Sequence, residues 1–260
     1  MPLNFGHRSY PSGNVFLQFV FGPGRTFETR HAYKPGGKDK VRPNQAIILP
    51  KNASWRVKLE ASPDFVLVKF KPGMAAPFFN LSLSELDGWE KPTDIWSTSV
   101  TEQLCEMEFA SIQDRIQIIE RVLLHNLERS TIFVDRTVRY AIDLLQRKDG
   151  RLKIQNLAER LHISSRQLRR KFQHYVGHTP KQYNNIVRFH SANRLLQQFP
   201  EMTLTEVAHR SGYFDLAHFT HSVQEITGIS PTQMSRIDQK ELEMNKRDID
   251  SIACPVLLAV

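Results

Sequence analysis

Between Arg166 and Gln173 the chain reads RQLRRKFQ. On a helix, Leu168 and Phe172 fall at i and i+4 and turn inward, leaving Ser165, Arg166, Gln167, Arg169, Arg170 and Gln173 outside. These side chains can read nucleic acid. A guanidinium holds guanine O6 and N7 with two hydrogen bonds, and glutamine does the same for adenine. A solvated helix face is the plainer alternative, and the local charge surplus described below weighs against it. A second stretch, GYFDLAHFTHSVQEITGISP from Gly212 to Pro231, opens with a turn and continues as a short helix over Asp215 to Thr227. Its outer side is Leu216, Ala217, His218, Thr220 and His221, with Phe219 and Ile226 inward and no acid before Glu225. Small apolar side chains can meet a thymine methyl, and histidine can reach a base edge or a phosphate. Taken singly, the two histidines fit surface positions without a role equally well. The turn and caps around them favour a recognition helix.

The elements that would position these faces occur twice. VGHTPKQY (Val176 to Tyr183) recurs as TGISPTQM (Thr227 to Met234) fifty-one residues on, and LAERLHIS (Leu157 to Ser164) as VAHRSGYF (Val207 to Phe214) after fifty. The one-residue slip falls in the turn, where an insertion costs least, and the repeat implies one supersecondary unit made twice. Thr179-Pro180-x-Gln182 and Ser230-Pro231-x-Gln233 each place a hydroxyl at the N-cap, proline at N1 and glutamine at N3. Ser164-x-x-Gln167 and Thr203-x-x-Glu206 are capping boxes of the same kind. Each copy is therefore a short helix (Ile154 to Leu161; Leu204 to Ser211), a tight turn, and a second helix. That is a helix-turn-helix, whose second helix can enter a major groove. Pro180 to Gln198 joins the copies without a breaker. At about 1.5 Å per residue it is about 28 Å long, close to the ~34 Å of one DNA turn, so two successive grooves come within reach.

With A-x-x-S-G-Y at Ala208 to Tyr213, Phe219, T-G-I-S-P at Thr227 to Pro231 and the earlier V-G-H-T-P, the segment from about Val134 to Arg236 resembles the DNA-binding domain of AraC/XylS-type transcription regulators. Val223 stands where that family usually has Phe and Met234 where it usually has Tyr, both at core positions. FKPGMAAPFF (Phe70 to Phe79) followed by SELDG is similar to the sensor-like N-terminal domain of one subgroup. The resemblance implies double-stranded DNA and RNA polymerase as partners. It also implies that Arg166, Arg169 and Arg170 are base-facing or groove-facing.

The first third reads as strands. NVFLQFVFG (Asn14 to Gly22) and FVLVKF (Phe65 to Phe70) are rich in Val and Phe, and SWRVKLEA alternates Trp55, Val57 and Leu59 with charged residues. Turn signals at Gly22, Lys34, Arg42 and Lys71 separate these runs, as in a compact β-sandwich or open barrel. From about Thr101 the period becomes helical, with Ile112, Ile116, Ile119, Leu123 and Leu127 forming a stripe for a sheet or a second copy of the chain. The expected fold is α+β in two domains: a β-rich, sandwich or cupin-like domain over 1–130 with a helical segment from about 101, and an all-α double helix-turn-helix domain over 131–236. Residues 237–260 form a tail.

The net charge of +8 belongs to the middle of the chain, where Thr131 to Arg236 hold 16 Lys and Arg against 8 Asp and Glu. A local basic surplus suits a polyanion, because each cation that neutralises a phosphate releases counterions. Cys105 and Cys254 are far apart and form no metal or disulfide motif. MPLNFGHRSY lacks the apolar core of a signal peptide and IACPVLLAV is too short to span a bilayer, so the expectation is a cytoplasmic protein without a membrane partner. No cofactor or metal is called for. A cupin-type metal enzyme would need clustered ligands, and the first 110 residues hold His7 and His31. A DNA-repair methyl acceptor would need reactive cysteines in an electropositive site. An architectural DNA binder would leave the large N-terminal part without a use. That part is expected to bind a small-molecule effector, to pair as a homodimer, or both.

Overall fold

The computed structural model describes residues 6–21, 25–30, 38–41, 45–49, 54–59, 64–86, 95–96, 107, 110–236 and 256–259. Cys105, Cys254, His31 and the turns at Gly22, Lys34 and Arg42 lie outside them.

Among the described residues, eight strands form two four-stranded sheets. One has the order β1 (Gly6–Ser9), β6 (Ser54–Leu59), β3 (Arg25–Arg30), β4 (Lys38–Val41). The other runs β5 (Gln45–Leu49), β2 (Val15–Val20), β7 (Phe65–Phe70), β8 (Val256–Ala259). Antiparallel register places Val15, Leu17 and Phe19 opposite Phe70, Val68 and Val66, so the period-two pattern of both strands stacks on one buried face. Residues 256–259, read from sequence as part of a tail, instead add a strand parallel to β7, with Val66 opposite Val256. The turn expected at Lys71 is present: Met74 donates to the Lys71 carbonyl at 3.0 Å, and Gly73 takes a positive φ of 78° that an L side chain rarely adopts.

The short helix α1 (Ala76–Phe79), a 3-10 turn (Leu83–Glu85) and the long α2 (Ile112–Glu128) close this first core. The expected stripe on α2 has turned. Ile119 and Leu123 are buried, but Arg115 and Val122 are buried too, and Leu127 is exposed. The cause is Arg115. Its guanidinium donates to the Met107 carbonyl at 2.9 Å and to Asp64 at 2.6 Å, and it lies 3.9 Å from the centre of the Phe21 ring. A buried cation satisfied from three sides can hold a core position that the periodicity assigned to an apolar residue.

Between Glu128 and Arg236 the chain is helical: α3 (Arg136–Arg147), α4 (Ile154–Arg160), α5 (Ser165–Val176), α6 (Pro180–Gln198), α7 (Leu204–Arg210) and α8 (Leu216–Thr227), followed by helical residues 231–236. Two separate cores form here. Val138, Leu145, Leu157, Leu168, Phe172 and Tyr183 make one, and Phe189, Leu196, Val207, Tyr213, Phe219 and Val223 the other. The connecting helix α6 gives its first half to one core and its second half to the next. Val223 and Met234 are both buried, as their core positions require.

Candidate nucleic-acid interface

Both units start from local chemistry. In α5 the Ser164 hydroxyl accepts from the Gln167 N–H at 3.2 Å while the Gln167 side-chain oxygen accepts from the Ser164 N–H at 3.0 Å. Thr179 with Gln182, Thr203 with Glu206, and Ser230 with Gln233 repeat the reciprocal pair. These boxes satisfy orphan donors at the helix starts, each cap contributing about 1 kcal/mol. The second helix of the second unit starts one residue later than its sequence pattern suggested. Asp215 has extended backbone and acts as N-cap, its carboxylate accepting from the His218 N–H at 2.7 Å.

The outer faces emerge largely as read. Ser165, Arg166, Gln167, Arg169 and Arg170 are exposed and Gln173 is half-buried, while Leu168 and Phe172 are buried. Among the described residues Arg166, Arg169 and Arg170 have no acidic partner, whereas Lys171 on the same helix is tied to Asp135. Burial works to raise the Asp135 pKa, but Lys171 and the Val138 N–H outweigh it and hold the carboxyl below the usual aspartate range. The three arginines are therefore the free cations of this face. Gln167 differs from the expectation in one respect: its side-chain oxygen belongs to the cap, so a two-bond grip on adenine would require releasing Ser164.

On α8, Leu216, Ala217, His218 and His221 are exposed, Thr220 is half-buried, and Phe219 is buried. Ile226, expected inside, is half-buried. The His218 ring has a fixed role at one nitrogen: Nδ1 accepts from the Phe214 N–H at 3.4 Å, which leaves Nε2 as the donor in the neutral ring.

Sequence reasoning missed the residues that lock the two units together. Arg188, from the middle of α6, donates twice to the Gly150 carbonyl, at 3.0 and 2.7 Å, and lies 5.4 Å from the Tyr213 ring centre in the second unit. Arg151 donates to the Arg210 carbonyl at the end of α7, where a cation suits the negative end of the helix dipole. Arg194 reaches Asp149 at 3.3 Å. The N-terminal half joins in: α1 and the 3-10 turn lie against α5, and Tyr10 packs edge-on against Phe189 at 5.4 Å. His190 Nε2 donates to the Pro11 carbonyl at 2.7 Å. Only the surplus of Arg in the basic segment hinted at any of this.

Residues 157–237 match the family described as a helix-turn-helix domain. Over 79 residues the chain is 32% identical to the HTH-type transcriptional activator RhaS of Pectobacterium carotovorum, covering 30% of this chain and 28% of that one. Over 78 residues it is 36% identical to the HTH-type transcriptional regulator GbdR of Pseudomonas aeruginosa, covering 30% of this chain and 21% of that one. The matched stretch thus spans under a third of either relative's length. ToxT of Vibrio cholerae aligns over 90% of this chain and 95% of its own at 10% identity, with a TM-score of 0.46, a level at which no feature transfers from one to the other. The chain carries a helix-turn-helix domain over residues 157–237. Among the described residues no helix is long and apolar enough to cross a membrane. Among those residues, too, no three His, Cys, Asp or Glu side chains are grouped to hold a metal.

Proposed function

We propose that the chain is a sequence-specific DNA-binding transcription regulator that reads two successive major grooves, one with α5 and one with α8. The observation that carries this reading is that two exposed second helices sit at opposite ends of one 19-residue helix, about 28 Å long, which Arg188 and Arg151 brace. In this reading Arg166, Arg169 and Arg170 hold guanine edges or phosphates, with Ser165, Gln167 and Gln173 beside them. Leu216, Ala217, His218, Thr220 and His221 read the second groove. RNA polymerase is the further partner of a bound regulator, and the cytoplasm is its place.

The division into 1–130, 131–236 and 237–260 belongs to the same reading. The first part, a sandwich or cupin-like domain, would take a small-molecule effector or pair with a second copy, for which the exposed Leu124 and Leu127 of α2 offer an apolar strip. It touches both units, through α5 and through Tyr10 and Pro11, so a change within it has a mechanical route to the DNA-facing helices. Selection of duplexes from a random pool by the full chain, followed by footprinting, tests this. A single preferred sequence protected over two consecutive major grooves on one face is expected, with affinity falling steeply as salt rises. Binding without sequence preference would leave an architectural protein instead.

A further inference from the structure

The turns of the two units correspond residue by residue. The Ile163 N–H donates to the Ala158 carbonyl at 3.2 Å, and the Tyr213 N–H donates to the Ala208 carbonyl at 2.9 Å. His162 and Gly212, with φ of 52° and 77°, occupy the same left-handed position. Up to this point the offset is fifty. From the N-caps onward, Ser164 and Asp215, it is fifty-one, and it stays so to the C-cap glycines, Gly177 and Gly228, with φ of 74° and 73°. One residue therefore has no counterpart in the first unit: Phe214.

That extra residue is not hidden. Phe214 is 84% exposed, its backbone N–H is held by His218 Nδ1 at 3.4 Å, and the exposed Leu216 and Ala217 follow it. An isolated exposed apolar side chain needs no explanation by itself. Here the ring stands at the lip of the proposed second recognition helix, as the single residue by which that unit departs from its repeat. A phenyl ring offers nothing to a phosphate and no hydrogen bond to a base edge. The apolar group that base edges present in the major groove is the thymine C5-methyl. We infer that Phe214 is a specificity-determining residue of the second unit, which covers a thymine methyl beside the bases facing His218 and so selects thymine at that position. The inference rests on the two-groove reading.

The test uses the full chain and the tightest duplex recovered from a random pool. Each thymine is replaced in turn by deoxyuridine, which removes the methyl and keeps every hydrogen bond. Wild type should lose about fourfold in affinity at one position within the second groove, the worth of one buried methyl. Phe214→Ala should bind the parent duplex about tenfold more weakly, be indifferent to the methyl at that one position, and keep the salt dependence of wild type. Phe214→Leu should recover part of the methyl effect. Equal methyl sensitivity in wild type and Phe214→Ala overturns the assignment, as does a loss spread evenly over all duplexes. So does unchanged DNA binding accompanied by lost transcription, which would give the ring to a protein partner. Failure of the wild-type chain to select any duplex would strike the proposed function itself, an outcome distinct from these.

Discussion

The first and second helix-turn-helix units share a scaffold and differ in what they present. Each pairs a seven-residue helix with a twelve-residue one, ends on a left-handed glycine and leads into a Ser/Thr-Pro-x-Gln start. On that frame α5 carries three arginines without an acidic partner among the described residues, while α8 carries no Lys or Arg and shows histidine, leucine and alanine instead. The frame depends on core residues that point away from the presented face and on caps that share it chiefly at Gln167, so the rest of that face is free to vary. A cationic helix gains affinity from counterion release and is sensitive to salt. A neutral helix contributes chiefly through the fit of base edges, which salt screens little. The units also differ in their neighbours: α5 is backed by α1 and the 3-10 turn, while Tyr10 reaches the second core at Phe189.

The most severe way to break the pairing is to turn one unit against the other. An alanine inserted between Ser191 and Ala192 rotates everything beyond it by about 100°. Both positions are buried, and the Arg188 contact to Tyr213 spans the insertion, so the second unit must swing or repack. Specific affinity should fall by orders of magnitude and the footprint shrink to one groove while circular dichroism stays helical. An unchanged footprint in a folded insertion variant rules out reading by both units.

Next in size is Gly150→Ala. The φ is 68°, and a Cβ would stand 2.3 Å from the Asn184 carbonyl oxygen, a backbone atom of α6 that cannot step aside. A loss of about 3 kcal/mol in denaturant unfolding is expected. Gly212→Ala is the milder partner at φ 77°, because the nearest atoms, 3.1 and 3.2 Å away, belong to the flexible Arg151 side chain. It should cost about 1 kcal/mol. Equal costs would mean the junction is softer than its geometry.

The contrast in chemistry is sharpened by side-chain removal. Arg169→Ala or Arg170→Ala should lose about 1–3 kcal/mol of binding, either at one base position or uniformly with the salt slope reduced by about 1. His218→Ala should lose less and leave the salt slope alone. A salt slope that falls equally in both would erase the distinction between the units.

The smallest effect expected is one of pH, at the contact between the N-terminal half and α6. Burial, with the charges of Arg194 and Lys69, holds the His190 pKa below its ordinary value despite the bond to the Pro11 carbonyl. The unfolded chain takes up this proton near pH 6.5, the folded chain at lower pH. The neutral ring's contribution is therefore complete above about pH 6.5 and is lost as pH falls below it. Unfolding midpoints should drop on acidification, and His190→Gln should flatten that drop. A parallel acid limb in both proteins would remove His190 as its source.

Much of the helical half was legible because its signals are local. A hydroxyl and a glutamine three residues apart define a helix start wherever they occur, since both partners lie within one turn. Hence the starts at Ser164, Thr179, Thr203 and Ser230, the bounds of α6 and the inward Leu168 and Phe172 could all be read directly. The fifty-residue repeat carried the topology, because a doubled unit must bury its apolar side twice. Other features needed partners far along the chain. Arg115 entered the core because Asp64, fifty-one residues earlier, was there to meet it. Val256–Ala259 became a strand because the edge of β7 was open to it. Arg188 braces the units because the turn after α3 brings Gly150 beside α6. Periodicity can say which residues avoid water, but burial of a charge, capture of a strand and bracing between units depend on groups that only folding brings within hydrogen-bond distance.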